Sequence, residues 1–226
     1  MTKLSKLLAP ASLALAAMIA VPAHAQVDGR VATVDISRTV IGSTAFQTSY
    51  EQVNQTYAQQ NELRRTKAQE RQTLLATFDK NGDKQVDDAE LAAKQNTPDF
   101  TKLQTLEQEI TALGNQIDGA RVYAIEQILV QFGPALQEIT TAQQIKLVLD
   151  PGSLLFGVPE ADITQQVTTA LNAKVASVGV VPPAGWQPSR EGVQIYQDIQ
   201  QRLLTAQRLQ QAQQQQQTTP AAPVGR

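Results

Sequence analysis

Of the seven oxygen-bearing side chains within residues 79–90 of this chain, six stand at a telling spacing: Asp79, Asn81, Asp83, Gln85, Asp87 and Glu90. Counted from Asp79 they occupy positions one, three, five, seven, nine and twelve. That spacing suits a hard divalent cation, because calcium needs several oxygens converging from one short loop with the last carboxylate bidentate. The surroundings fit as well. Leu75 and Phe78 precede the loop, Val86 is its apolar eighth residue, and Leu91 follows Glu90. Position six is the exception. A loop of this kind bends sharply there and wants glycine, but the residue is Lys84. A side chain in a left-handed bend costs on the order of 1–2 kcal/mol, and the ammonium adds positive charge near the ion. The loop therefore reads as a weak calcium site or as an acidic turn between two helices.

Little other chemistry is available. Lys3 and Lys6, the apolar run Leu7–Val21 and the small-x-small Ala23-His24-Ala25 read as a cleavable export signal over residues 1–25, which places the mature chain in the periplasm. The single histidine, His24, leaves with that segment, and the chain has no cysteine. A histidine-based triad, a thiol nucleophile, a Cys/His zinc site and disulfides are all excluded. Loss of Lys3 and Lys6 takes the formal net charge from −2 to −4, which argues against nucleic acid as a partner. No phosphate-binding loop is present, so nucleotide-driven work is not expected. A carboxylate pair or a Ser/Lys arrangement could still support hydrolysis, but the carboxylates lie on polar helix faces or in the one acidic loop. No enzymatic activity and no required cofactor are expected.

The elements around the loop follow from periodicity. Val31, Thr33 and Asp35 alternate with Ala32, Val34 and Ile36, which predicts a strand over Arg30–Ile36. Phe46, Tyr50, Val53 and Tyr57 then form a helical stripe that thins through Asn61 and Ala68 before Leu74, Leu75 and Phe78. One helix over Thr44–Phe78 is expected, poorly covered toward its far end. On the return, Leu103, Leu106, Ile110, Leu113 and Ile117 repeat at 3, 4, 3, 4, and Ala124, Ile128, Ala135 and Ile139 continue a coiled-coil-like seam. The two helices should form an antiparallel hairpin over residues 44–140, an arm of roughly 50–60 Å at 1.5 Å per residue, with the acidic loop 79–90 at its tip. Gly133-Pro134 predicts a kink or break near its base. A second strand, Gln144–Asp150, and a helix over Asp162–Asn172 with Asp162 as its N-cap follow. Residues 26–43 and 141–178 would thus make one small body. Residues 179–190 read as a proline-rich linker, 191–212 as an amphipathic helix bearing Val193, Tyr196, Ile199, Leu203 and Leu209, and 213–226 as a disordered Gln/Thr/Pro tail.

Taken together, Arg30-Val-Ala-Thr-Val-Asp-Ile-Ser, a long helical hairpin, Ile145-Lys-Leu-Val-Leu-Asp-Pro-Gly and Asp162-Ile-Thr-Gln-Gln-Val resemble the Skp/OmpH family of periplasmic chaperones over about Arg30–Val175. The tip loop resembles an EF-hand inserted into that plan. The family resemblance implies a mainly helical α+β fold and a homotrimer. Strands from three chains would form a β body through Val31, Val34, Ile36, Ile145, Leu147 and Leu149, and three arms would hang from it around a cavity. It also implies that unfolded outer-membrane proteins are held on the inner face of the arms without ATP. Two strands per chain are a marginal sheet, so assembly of several chains is a natural way to close its edges. Family members with strongly basic arms suit lipopolysaccharide and anionic membranes. Here only Arg64, Arg65, Lys67 and Arg71 cluster, so no lipopolysaccharide site is carried over and membrane contact is left open. The competing readings are a trimeric envelope scaffold for folded partners and a calcium buffer or sensor.

Overall fold

The structure is a computed structural model describing residues 29–218, so the expected export segment and residues 219–226 lie outside the described residues. The fold is α+β and mainly helical. In chain order it comprises β1 (Arg30–Thr33), α1 (Ile36–Ile41), α2 (Thr44–Thr56), α3 (Ala58–Ala76), α4 (Asp88–Lys94), α5 (Pro98–Ala142), β2 (Ile145–Leu149), α6 (Thr164–Lys174) and α7 (Arg190–Thr218).

β1 and β2 pair in parallel, with Val31 opposite Leu147, Ala32 opposite Val148 and Thr33 opposite Leu149. Parallel strands cannot be joined by a hairpin turn; they need a crossover, and here the crossover is the whole arm, α1 to α5. Two tight corners make it work. Asp35 ends the first strand early by accepting the backbone N–H of Arg38 at 3.0 Å, which caps α1. Ile36 is therefore the first residue of a helix and no part of the expected strand; it packs half-buried against the core. At the other corner Gln144 adopts φ +55 directly after α5, so one left-handed residue turns the helix into β2.

Beneath the sheet lies the main core. Ala32, Val34, Val40, Phe46, Ile125, Ile128, Ile145, Ile163, Val167, Leu171 and Ile199 come from seven elements and the segments beside them. The free side of β1 is covered by the segment before α6, where Ile163 N–H donates to Thr33 O at 2.9 Å. Asp162 does not cap α6 in the expected way, because the helix begins at Thr164. Its Oδ1 accepts from Thr164 N at 2.9 Å while its other oxygen pairs with Arg38 at 3.1 Å. Although partial burial opposes it, these hydrogen bonds from Thr164 and Arg38 hold the Asp162 carboxyl below its ordinary range.

Two expectations about the arm are corrected. The outgoing helix is not continuous: Tyr57, at φ −104 and ψ 23, separates α2 from α3. Its ring is buried with Val53, Ile117, Ala120 and Val180, and its hydroxyl donates to Val180 O at 3.4 Å. The break thus falls where the segment after α6 crosses the arm. The returning helix, in contrast, runs unbroken through Pro134 for 45 residues, roughly 67 Å. Proline removes the bond to the carbonyl of Val130, but Val130 is 69% exposed, so water can satisfy that oxygen.

The segment from 179 onward is pinned along its length. Trp186 meets Tyr123 edge-on and donates to Glu126 at 3.0 Å, and Ser189 N–H donates to the other Glu126 oxygen at 2.6 Å. Farther along, the Tyr196 hydroxyl donates to Asp118 at 2.6 Å, Gln200 donates to the Tyr50 hydroxyl at 2.7 Å, and Arg202 reaches Asp35 at 3.0 Å. Burial pushes the Tyr50 hydroxyl up to about 12, against the pull of Arg121. Hydrogen bonding from Ser37, then the Arg202 guanidinium, hold the Asp198 carboxyl low against a smaller burial effect. Beyond Arg202 every described side chain of α7 is exposed. The helix still continues to Thr218, past the point where a disordered tail is expected at 213; glutamine is a good helix former, so the anchored half can propagate it.

Burial divides the molecule into a packed body and a lightly packed arm. Truncating Ile128, fully buried in the main core, should cost about 2–5 kcal/mol. Ile110→Ala on the shaft, where the side chain is only half-buried, should cost roughly 1 kcal/mol. Urea unfolding of the two variants checks the contrast, and equal losses would contradict it.

Candidate functional site

At the arm tip the chain from Phe78 to Glu90 is ordered by its own side chains. Asp79 accepts the backbone N–H of Gly82 at 2.6 Å and of Lys84 at 2.9 Å. Asn81 accepts from Asp83 N and Asp83 from Gln85 N, each at 2.8 Å. Asp87 caps α4 by accepting from Glu90 N at 2.8 Å, and Glu90 reaches back to Asp87 N at 3.3 Å, a reciprocal capping box. The other Glu90 oxygen accepts from Lys80 N at 2.7 Å and Asn81 N at 3.2 Å. Glu90 is buried and ties the two ends of the loop together.

The bend expected at position six is present, with Lys84 at φ +66. Asp79 holds it in place through the Lys84 amide. Five of the six sequence-predicted oxygen donors thus lie in the connection between α3 and α4 and Glu90 lies in the first turn of α4, but their carboxylates are turned onto backbone N–H groups. Among the described residues no three His, Cys, Asp or Glu side chains are gathered closely enough to hold a metal ion. A cation at this loop would compete for the Glu90 carboxylate with the amides of Lys80, Asn81 and Asp87, while each Asp79 oxygen, which accepts one amide, keeps a lone pair.

Along the shaft, α3 packs on α5, yet none of its 19 residues is buried. Lys67 pairs with Glu109 across the two helices at 2.6 Å. Buried apolar residues of α5 at this end are Leu103 and Leu106, with Ile110 and Leu113 half-buried. The shaft is held by a narrow seam, and the rest of its surface faces outward.

The body carries the other exposed apolar surface. Of the six residues expected in an inter-chain β body, Val34 and Ile145 are buried in this chain's own core, Leu149 is half-buried, and Ile36 lies in α1. Only Val31, 46% exposed, and Leu147, 40% exposed, stand outward, paired across the sheet on one face. The sequence reading missed their companions. Leu155, Phe156 and Val158, in the connection after β2, are the most exposed run of large apolar side chains among the described residues. The signal was the apolar Leu154-Leu155-Phe156 run inside a segment rich in turn residues. The outer edge of β2 has no strand partner among the described residues.

The strained lysine gives a direct test of the tip. Lys84→Gly places the residue type that tolerates φ +66 without a Cβ penalty, so the variant should be stabilised by about 1 kcal/mol. Thermal unfolding would register this as a raised Tm, and a lowered Tm would contradict the bend.

The model of the OmpH family, outer membrane protein (OmpH-like), matches residues 30–171. No curated protein matches the chain. A crystal structure designated an OmpH-like outer membrane chaperone of Caulobacter crescentus CB15 aligns at 17% identity and a TM-score of 0.38, covering 69% of this chain and 92% of that one. At that score it adds no weight. The family match spans both strands, the complete arm and most of α6, the elements that build the body and hold the tip. The chain belongs to the OmpH-like family.

Proposed function

We propose that this chain is an ATP-independent holdase chaperone of the periplasm, which assembles as a homotrimer and keeps unfolded outer-membrane proteins from aggregating between its arms. The family assignment supports a chaperone role in general. The observation that carries the finer reading is the arm's division of labour: α3 lies along α5 for its whole length without burying a single residue. A long surface that its own fold leaves uncovered is suited to many weak contacts with unlike sequences. The outward Val31, Leu147, Leu155, Phe156 and Val158, together with a β2 edge that has no strand partner among the described residues, support assembly of several copies through the body.

Client capture by this chain should depend little on charge, since its net charge is small and the basic residues of the shaft are few. Dilution of a urea-unfolded outer-membrane β-barrel into buffer with the mature protein, without nucleotide, tests this. Light scattering should stay low, and protection should change less than about three-fold between low and physiological salt. Aggregation that proceeds as in buffer alone would overturn the chaperone reading in favour of a scaffold for folded partners. Steep loss of protection with salt would overturn the charge-independent mode of capture.

A second reading concerns calcium. The left-handed φ of Lys84 at the sixth loop position supports it, because the backbone already has the bend that a twelve-residue calcium loop uses. Binding would be weak, in the sub-millimolar to millimolar range of extracellular modules, since Lys84 adds positive charge near the ion and Glu90 is already engaged by backbone amides. Calorimetric titration of the mature protein with calcium should give heat that the Glu90→Gln variant lacks. No heat up to about 10 mM, or equal heat from the variant, would remove calcium from the account.

A further inference from the structure

Both legs of the arm are weakened at the same level. On the outgoing leg Tyr57, at φ −104 and ψ 23, breaks the helix between α2 and α3. On the returning leg α5 carries Gly114 and Gly119 inside a continuous helix. A glycine weakens a helix interior by roughly 1 kcal/mol relative to alanine. The two glycines flank the break, because Tyr57 packs on Ile117 and Ala120. Close packing requires neither of them. Gly114 has open space where a side chain would start, and a β-carbon on Gly119 would meet only the Trp186 ring, at 3.8 Å. Beyond this level α3 and α5 stay joined by their seam and by the pair of Lys67 with Glu109, so the shaft is one piece.

Residues 179–189 lie across that level, outside the stretch 30–171 that the family model matches. Gly179 and the Gln127 side-chain amide exchange two hydrogen bonds, at 2.8 and 3.1 Å. Val180 then enters the cluster of Val53, Tyr57, Ile117 and Ala120, which belongs to both legs, and its carbonyl accepts the Tyr57 hydroxyl. A turn from Pro183 to Trp186, with Gly185 at φ +80, lays the Trp186 ring against Gly119 and Tyr123. Glu126 closes the segment by accepting from Trp186 Nε1 and Ser189 N. Both ends are thus tied to the root side of α5, and the part between them covers the weak level. Pro182, Pro183 and Pro188 lower the entropy lost in ordering it.

We propose that this level is a hinge of the arm and that residues 179–189 are the latch that holds it. While the latch is seated, Val180 bridges the two legs and Trp186 covers Gly119. Once it is released, shaft and tip swing together about Tyr57, Gly114 and Gly119. From Gly119 to Pro98 the lever is roughly 30 Å, so a swing of about 20°, the size of an ordinary kink, carries the tip roughly 10 Å. In the proposed trimer the latch thereby sets the separation of the arm ends, but the hinge itself rests on the geometry of one chain.

Trp186 is the only tryptophan and the chain has no cysteine, so latch and arm can be read separately in the full mature protein. Trp186 emission reports the latch. Pulsed electron-spin distances between nitroxides at Gln165→Cys on α6 and Thr101→Cys near the tip, both exposed positions, report the arm. Labelled protein is diluted into unlabelled protein so that only distances within one chain are seen. Wild type should give blue-shifted emission and one narrow distance population. Val180→Asp, which puts a carboxylate into the apolar cluster, should shift the emission to the red and spread the distances by up to roughly 10 Å. Adding Gly114→Ala and Gly119→Ala should leave the emission red and narrow the distances again, a rescue that loosened packing alone would not show. Should Val180→Asp lose helix by circular dichroism, Tyr57→Phe with Gln127→Ala takes its place, because it removes hydrogen bonds and keeps the apolar cluster. Unchanged distances with red-shifted emission, or no narrowing by the alanines, would overturn the hinge. Emission that stays blue would overturn the latch. No client enters the measurement, so either result leaves the chaperone reading where it stands.

Discussion

Strands that run in the same direction cannot be joined by a turn, and β1 and β2 run in the same direction. Everything between them must leave the body and come back. In this chain the returning element is a single 45-residue helix, so the crossover becomes an arm. The pairing also sets where the arm can be attached, because α1 and β2 must start at the corners made by Asp35 and Gln144. Asp35 is worked from both sides: it caps α1 and is gripped by Arg202 of α7 at 3.0 Å. The last helix therefore fastens the corner from which the arm departs, and Tyr50, Asp118 and Glu126 fasten the arm's root to the same strap.

Packing density falls away from that root. The body has a many-element core, the root has the small cluster of Val53, Tyr57, Ile117, Ala120 and Val180, and the shaft has a seam only. The tip recovers order by other means, with hydrogen bonds from carboxylates to backbone amides in place of apolar burial. Such a gradient keeps a long arm from collapsing on the body and leaves its surface free. It also gives the arm a firm end, which a bare helical hairpin of this hydropathy would lack.

Much of this was legible in the residues. The 3, 4, 3, 4 repeat from Leu103 to Ile117 signals burial on one face, which the arm's seam uses, whereas the alternation at Val31–Val34 pointed to a strand whose successive residues Ala32, Thr33 and Val34 are all buried. The failures have local causes. Ile36 continues the alternation, but Asp35 is a better helix cap than a strand residue. Tyr57 fits the helical stripe and yet breaks it, because a segment 123 residues later crosses there. Pro134 promised a kink or break, but the helix runs unbroken because the carbonyl it orphans faces water. The spacing of the tip donors was visible in the residues, whereas periodicity says nothing of carboxylates that take amide partners. Exposed Leu155 and Phe156 were invisible to a search for periodic elements, since they belong to none.

The exposed apolar surface of Val31, Leu147, Leu155, Phe156 and Val158, with a β2 edge that has no strand partner among the described residues, is the part of the molecule that a single chain leaves unfinished. In the proposed trimer it is closed by other copies, and the arms are thereby held around a common space; one arm alone encloses nothing. Light scattering coupled to size exclusion of the mature protein tests this most directly. The account predicts a particle of three times the chain mass, which falls to the mass of one chain in a Phe156→Asp variant. A wild-type monomer across the micromolar range would contradict it.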